Sequence, residues 1–163
     1  MVDYDETCAF CKVIRGEAPA HIVCETEDSL AFFPKSPATR GHTLVTPRRH
    51  VKDIWSLESR LGAQIFETAL LISRALKSAL EPDGLNIINS AGEAASQTIY
   101  HLHIHLVPRW YDDRIGNIWP PKEPWSGEEL DHLAEVVRAA CAGLLLCTML
   151  AIKIARPIAS RTP

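Results

Sequence analysis

Three histidines, His101, His103 and His105, alternate with Leu102, Ile104 and Leu106. This alternation is the period-two signature of a strand with one buried face, so the three imidazoles are expected to share the other face. On a strand rising about 3.3 Å per residue, neighbours on one face stand about 6 to 7 Å apart, close enough to surround one phosphate group and too far to stack. An imidazole with an ordinary pKa near 6.5 is about three-quarters neutral at pH 7. One ring nitrogen can then attack an electrophilic phosphorus while neighbouring rings neutralise its oxygens. The alternative is a half-exposed strand whose histidines only face solvent. Pro108 removes a ladder donor and marks the end of the strand.

The rest of the chain must hold that strand in place. His21-Ile-Val-Cys-Glu25 and Ser29-Leu-Ala-Phe-Phe33, joined by Thr26-Glu-Asp28, read as a hairpin, and His42 to Pro47 as a third strand. From Leu57 to Leu80, Leu57, Leu61, Ile65, Leu70, Ile72, Leu76 and Leu80 recur at helical intervals and predict a long amphipathic helix, stopped by Pro82-Asp-Gly84. Leu85 to Ser90 reads as a strand. The loop Ala91-Gly-Glu-Ala-Ala-Ser96 is built of small residues that would let backbone N–H groups approach a phosphate, or would serve any tight turn. This order of elements predicts an α+β fold, an antiparallel sheet with a long helix packed on it.

After Arg109 the segment Trp110 to Trp125 is rich in proline and aromatics; it is either a lid supplying Trp110 or Trp119 to a pocket or an ordinary surface wrap or subunit contact. Ser126-Gly-Glu-Glu129 has the form of a capping box and opens a further helix running into the apolar stretch 139–152. That stretch is shorter than the roughly 20 residues of a membrane span and is closed by Arg138 and Lys153, so a buried or subunit-interface helix is expected and no membrane partner. Residues 1–125 read as one domain, with 126–163 as a C-terminal helix and tail attached to it, the tail from Arg156 expected to be disordered.

The chain has 163 residues and a net charge of -3, which excludes a basic field for sequence-independent nucleic-acid binding. Its acidic N-terminus lacks the basic and apolar regions of a secretory signal, and its five cysteines are an odd number, so a cytoplasmic setting with free thiols or metal ligands is expected. Cys8-Ala-Phe-Cys11 is open to three readings: a redox pair, half of a zinc site, or two buried thiols. Its place before a short helical turn, Lys12 to Glu17, rather than after a strand disfavours the redox pair.

His101-Leu-His-Ile-His-Leu-Val107, with Gln97 before it, resembles the His-x-His-x-His-x-x signature of the histidine triad family of nucleotide hydrolases and transferases; the likeness reaches back to Cys8 and forward to about Pro120. The resemblance implies a two-fold dimer and cleavage at the α-phosphate of a nucleoside phosphoramidate or dinucleoside polyphosphate. It implies His103 as the nucleophile that becomes nucleotidylated and His105 as a holder of a phosphate oxygen. His42, after Gly41, takes the part of the family's fourth histidine. Thr98 would assist the leaving group, with Gln97 and Ser96 at the phosphate. No catalytic metal is implied. Cys8, Cys11, His50 within Pro47-Arg-Arg-His50, and His101 match the structural zinc site of some bacterial members.

One departure stands out. Eight residues before His42, where many members place an Asp or Asn that grips the ribose, this chain has Pro34, which offers no polar side chain and no backbone N–H. The ribose contact must then come from elsewhere, or the substrate is not an ordinary nucleotide. Competing classes are a nucleotide-binding regulator with incidental turnover and a zinc-dependent interaction module in which His103 is replaceable.

Overall fold

A computed structural model describes residues 4–119 and 124–148, with side chains described to residue 144 in the last helix. Two compact units divide the chain between Gly116 and Asn117. The first carries every candidate catalytic, substrate-binding and metal-ligating residue. Its strands β1 (His21–Glu25), β2 (Ser29–Phe33), β3 (Thr43–Pro47), β4 (Gly84–Ile88) and β5 (Ile104–Arg109) form one sheet in the order β1-β2-β3-β5-β4, each neighbouring pair antiparallel. The helix α2 (Ser59–Leu80) carries the chain from β3 to the edge strand β4, and β5 returns between them. The fold is the expected α+β arrangement.

Period-two alternation gives the sheet two covered faces. Ala31, Val45, Leu102 and Leu106 point to one and meet Leu61, Ile65, Ala69, Ile72 and Leu76 of α2. Leu30, Phe32 and Leu44 point to the other and meet Cys8, Phe10 and Cys11 around the short helix α1 (Ala9–Ile14). The long helix ends at Leu80 where Glu81 turns left-handed, with φ of 49°, and Pro82 follows. The buried stripe of α2 differs from the expected one at a single place. Leu70 is exposed, and Thr68 and Ala69 take the inner position, because a 3.6-residue period from Ile65 returns there.

Two boundaries also differ. α1 starts at Ala9, so Cys11 is helical and Cys8 occupies the cap position, where a helix from Lys12 was expected. The triad segment joins the sheet only at Ile104, opposite Val45, so His101 and His103 precede the strand that was expected to begin with them. The cause lies in the partner strand, since β3 ends at Pro47, which has no N–H to continue the ladder. Other donors hold the extended segment instead: Leu102 donates to the Val51 carbonyl at 2.6 Å, Thr46 Oγ1 to the Leu102 carbonyl at 2.7 Å, and Asn89 Nδ2 to the His103 carbonyl at 2.8 Å.

In the second unit, helix α3 (Gly127–Thr148) opens with the expected capping box: Ser126 N–H donates to Glu129 Oε2 at 2.8 Å, and Glu129 N–H to Ser126 Oγ at 3.2 Å. Residues 149–152 of the apolar stretch and the tail lie outside the described residues. Among the described residues no helix is long and apolar enough to cross a membrane.

Gly41, immediately before His42, adopts φ of 79°, and a Cβ there would run into Leu80 Cδ1 and stand 3.1 Å from Leu76 Cδ2. Left-handed strain and overpacking act together at this point. Gly41→Ala is therefore expected to destabilise the fold by about 2 to 4 kcal/mol, read as a lowered urea midpoint at unchanged m-value.

Candidate active site and metal centre

The row of histidines lies on the face of the sheet opposite α2, and its rings converge more closely than regular strand spacing would bring them. His103 and His105 have ring centroids 4.9 Å apart, and His42 approaches His105 from β3's entry at 5.1 Å. The expected spacing of about 6 to 7 Å is that of the backbone positions, and the imidazoles of His103 and His105 lean toward one another at the ends of their side chains.

Hydrogen bonds assign a tautomer to each ring. His103 Nδ1 lies 2.7 Å from the His101 carbonyl, which only accepts, so Nδ1 carries the proton and Nε2 keeps the lone pair. The Ala38 N–H donates to His42 Nδ1 at 3.0 Å, which puts the His42 proton on Nε2. That nitrogen donates to His105 Nδ1 at 2.9 Å, which leaves the His105 proton on Nε2. The site thus presents one bare nitrogen, on His103, beside one N–H donor, on His105. Burial keeps the rings neutral. It holds His103 and His42 below the ordinary imidazole range and pushes His105 down to about 4, with the neighbouring His103 and His42 adding to the effect on His105.

The loop after β4 is shaped by Gln97, which is buried. Its Oε1 accepts the Gly92 N–H at 2.7 Å, and its Nε2 donates to the carbonyls of Lys52 at 2.8 Å and Ile99 at 3.2 Å. The Gln97 side chain therefore fixes the loop's backbone. Ser96 closes a 3₁₀ turn in a left-handed conformation, with φ of 65°, and Ser96 and Thr98 are both exposed. Pro34 follows the last residue of β2 and is half-buried.

Directly behind the row, Cys8, Cys11, His50 and His101 bring one ligand atom each within 4.8 Å of one another. His101, fully buried, donates from Nε2 to the Pro47 carbonyl at 2.9 Å, so its lone pair is on Nδ1. That nitrogen faces Cys8 Sγ at 3.4 Å and Cys11 Sγ at 3.5 Å, and His50 Nδ1 lies 3.4 Å from Cys11 Sγ. Tetrahedral zinc with Zn–S of about 2.3 Å and Zn–N of about 2.1 Å requires S to N edges of about 3.6 Å, so the four donors fit it. Burial pushes the Cys11 thiol up to about 11, with Cys8 adding to the rise, and pushes His101 down to about 4. A divalent cation offsets the cost of a buried thiolate and takes the neutral form of the histidine.

The structure thus brings together His42, His103 and His105 as one group and Cys8, Cys11, His50 and His101 as another, sharing the His101 to His103 backbone. A surface hollow of about 370 Å³ lies instead at the far end of β4 and β5 among Asp83, Arg109, Trp110 and Tyr111, where the Arg109 to Asp113 ion pair is already closed at 2.6 Å. Trp110 belongs to that end of the sheet, and Trp119 to the second unit. Phe10, Ala38 and Asn89 have no signal in the histidine spacing, since Ala38 and Asn89 act through contacts made only after the loops close, and Phe10 reads in sequence as one more apolar position.

A model of the HIT domain matches residues 15–111. Protein hit of Bacillus subtilis is 37% identical over 134 residues, covering 81% of this chain and 92% of that protein. Adenosine 5'-monophosphoramidase hnt1 of Schizosaccharomyces pombe is 30% identical over 131 residues, covering 80% and 96%. Among solved structures, a HIT family protein from Bacillus anthracis superposes with a TM-score of 0.77 at 37% identity, covering 83% of this chain and 97% of that one. A Zn-bound histidine triad family protein from Mycobacterium smegmatis does so with a TM-score of 0.61 at 37% identity, covering 85% and 95%. With the histidine row, the sheet and these matches in agreement, the chain belongs to the histidine triad (HIT) family.

Proposed function

We propose that this chain is a nucleotide hydrolase or nucleotidyl transferase that cleaves at the α-phosphate of a nucleoside phosphoramidate or dinucleoside polyphosphate through a nucleotidyl-histidine. The observation that carries this reading is the 2.7 Å bond from His103 Nδ1–H to the His101 carbonyl, which leaves Nε2 as a neutral nucleophile. The likeness to the monophosphoramidase of Schizosaccharomyces pombe supports the substrate class.

His103 Nε2 attacks the phosphorus, a P–N bond forms, and the bond to the leaving group breaks with its electron pair departing on the leaving atom. A leaving amine takes a proton from solvent through the hydroxyl of Thr98, which is exposed. His105 Nε2–H donates to a non-bridging oxygen, held in that tautomer by His42. Gln97 and Ser96 shape the loop against which the phosphate rests. Water then attacks the same phosphorus, its proton passes to solvent, and His103 leaves as neutral imidazole. Cys8, Cys11, His50 and His101 would hold zinc, which would serve there as a structural ion and not as a catalyst. Pro34 supplies no ribose contact from its side chain, so discrimination of the sugar falls to other groups.

Intact-mass measurement seconds after mixing with an adenosine phosphoramidate tests the nucleophile: a nucleotidyl adduct in the wild type and none in folded His103→Ala is expected, and an adduct surviving in the variant removes His103 from the role. For the metal, the protein should purify with about one zinc per chain, and Cys11→Ser should lower both zinc content and melting temperature; unchanged stoichiometry would strike Cys11 from the ligand set. The depressed pKa of His105 has a stability consequence. A histidine whose folded pKa lies below its unfolded value near 6.5 contributes stability that is complete above about pH 6.5 and is lost as pH falls toward about 4. His105→Gln should accordingly flatten the fall of the urea midpoint over that window, and an unchanged slope would contradict the assignment.

A further inference from the structure

The hydrogen bond to the His101 carbonyl fixes which nitrogen of His103 is bare, but one bond at Nδ1 is a pivot and leaves the tilt of the ring open. In-line attack needs Nε2 on a narrow arc, and a displacement of about 1 Å costs about a hundredfold in rate. Two rings limit the tilt. His105 stands on one side, at 4.9 Å and 60°. Phe10 meets His103 edge to face, with centroids 5.1 Å apart and planes at 87°.

Phe10 is itself tightly placed. It is 7% exposed, it packs edge to face on Phe32 at 5.3 Å and 83°, and it reaches the His101 ring at 6.0 Å. It also lies between two of the candidate ligands, since Cys8 caps α1 and Cys11 is buried within it. A helix of six residues has no independent stability, so what locates α1 is its attachment to the sheet. That attachment consists of the small cluster with Leu30, Phe32 and Leu44 and the approach of both sulfurs to the His101 and His50 nitrogens at 3.4 to 3.5 Å.

We infer that Phe10 is a positioning residue for His103, carried on the helix that the cysteine pair anchors, so that the metal centre orients the nucleophile through a second route besides the His101 backbone. The inference rests on the proposed nucleophilic role of His103. It assigns to the Cys-x-x-Cys spacing a purpose beyond chelation: the two intervening residues carry a ring to the site. An ordinary core phenylalanine would support stability alone.

The test uses the zinc-loaded full chain as wild type, Phe10→Leu and Phe10→Ala, with an adenosine phosphoramidate as probe. Three quantities are read: zinc per chain, the d–d spectrum of the cobalt(II)-substituted protein, and the single-turnover rate of adduct formation across substrate concentrations. Phe10→Leu keeps most of the packing and guards against a variant that fails to fold. The expected result is unchanged metal content and cobalt spectrum in Phe10→Leu, with the saturating rate of adduct formation down by about tenfold or more in the variants and the half-saturating concentration nearly unmoved. A wild-type saturating rate in Phe10→Leu overturns the inference, and a raised half-saturating concentration at that rate would make Phe10 a substrate contact instead. Loss of zinc or an altered cobalt spectrum in Phe10→Leu overturns it too, confining Phe10 to the metal pocket. If the wild type forms no adduct, the nucleophile reading itself fails, which the His103→Ala comparison reports separately.

Discussion

The structure turns on one hydrogen bond, from His103 Nδ1–H to the carbonyl of His101 two residues earlier. It lies where the two side-chain groups meet. The ring of His101 belongs to the cluster of Cys8, Cys11 and His50, while its carbonyl belongs to the nucleophile's network. A backbone carbonyl can hold a ring nitrogen in place only if the peptide cannot rotate. Here the peptide is held on both sides, by the His101 side chain bonded to the Pro47 carbonyl and by Leu102, whose N–H and carbonyl are bound to Val51 and Thr46. Pro47 contributes twice: ending β3 releases the segment from the ladder, and its carbonyl fixes His101.

The two-faced sheet makes this arrangement affordable in a small unit. Leu102 and Leu106 are buried against α2, and the burial of such side chains, worth about 1.5 to 3 kcal/mol each, locks the register of the segment. A slip of one residue would send all three imidazoles into the α2 core. With the register held, the opposite face can carry polar groups whose needs are met by one another and by backbone: among the described residues no buried side-chain polar atom is left without a partner.

Much of this was legible in the sequence, and the exceptions have physical causes. Alternation at residues 101–106 located the reactive face, because period two is a local property of the chain. The hairpin residues 21–25 and 29–33 were legible to the residue, since the turn between them is polar and short. The start of β5 was not, because it depends on where the neighbouring strand runs out of donors, and neighbourhood is set by topology. The shift from Leu70 to Ala69 in α2 is local instead: a 3.6-residue period from Ile65 returns at Thr68 and Ala69, so the larger apolar residue beside them faces out. Of the candidate site, the cysteine pair was open from its own spacing to a reading as half of a zinc site, and His42 and the completed four-residue ligand set came from resemblance to a family. The donor at Ala38 and the contact from Phe10 emerge only when the loops are in place.

The most direct test is nitrogen-15 NMR of the imidazoles in the zinc-loaded wild type at pH 7, with each ring assigned by substitution. The account predicts a neutral His103 protonated at Nδ1, set by the His101 carbonyl, and neutral His42 and His105 protonated at Nε2, set by the relay that starts at the Ala38 N–H. A His103 protonated at Nε2, or present as imidazolium at that pH, would leave the site without its nucleophile and contradict the account.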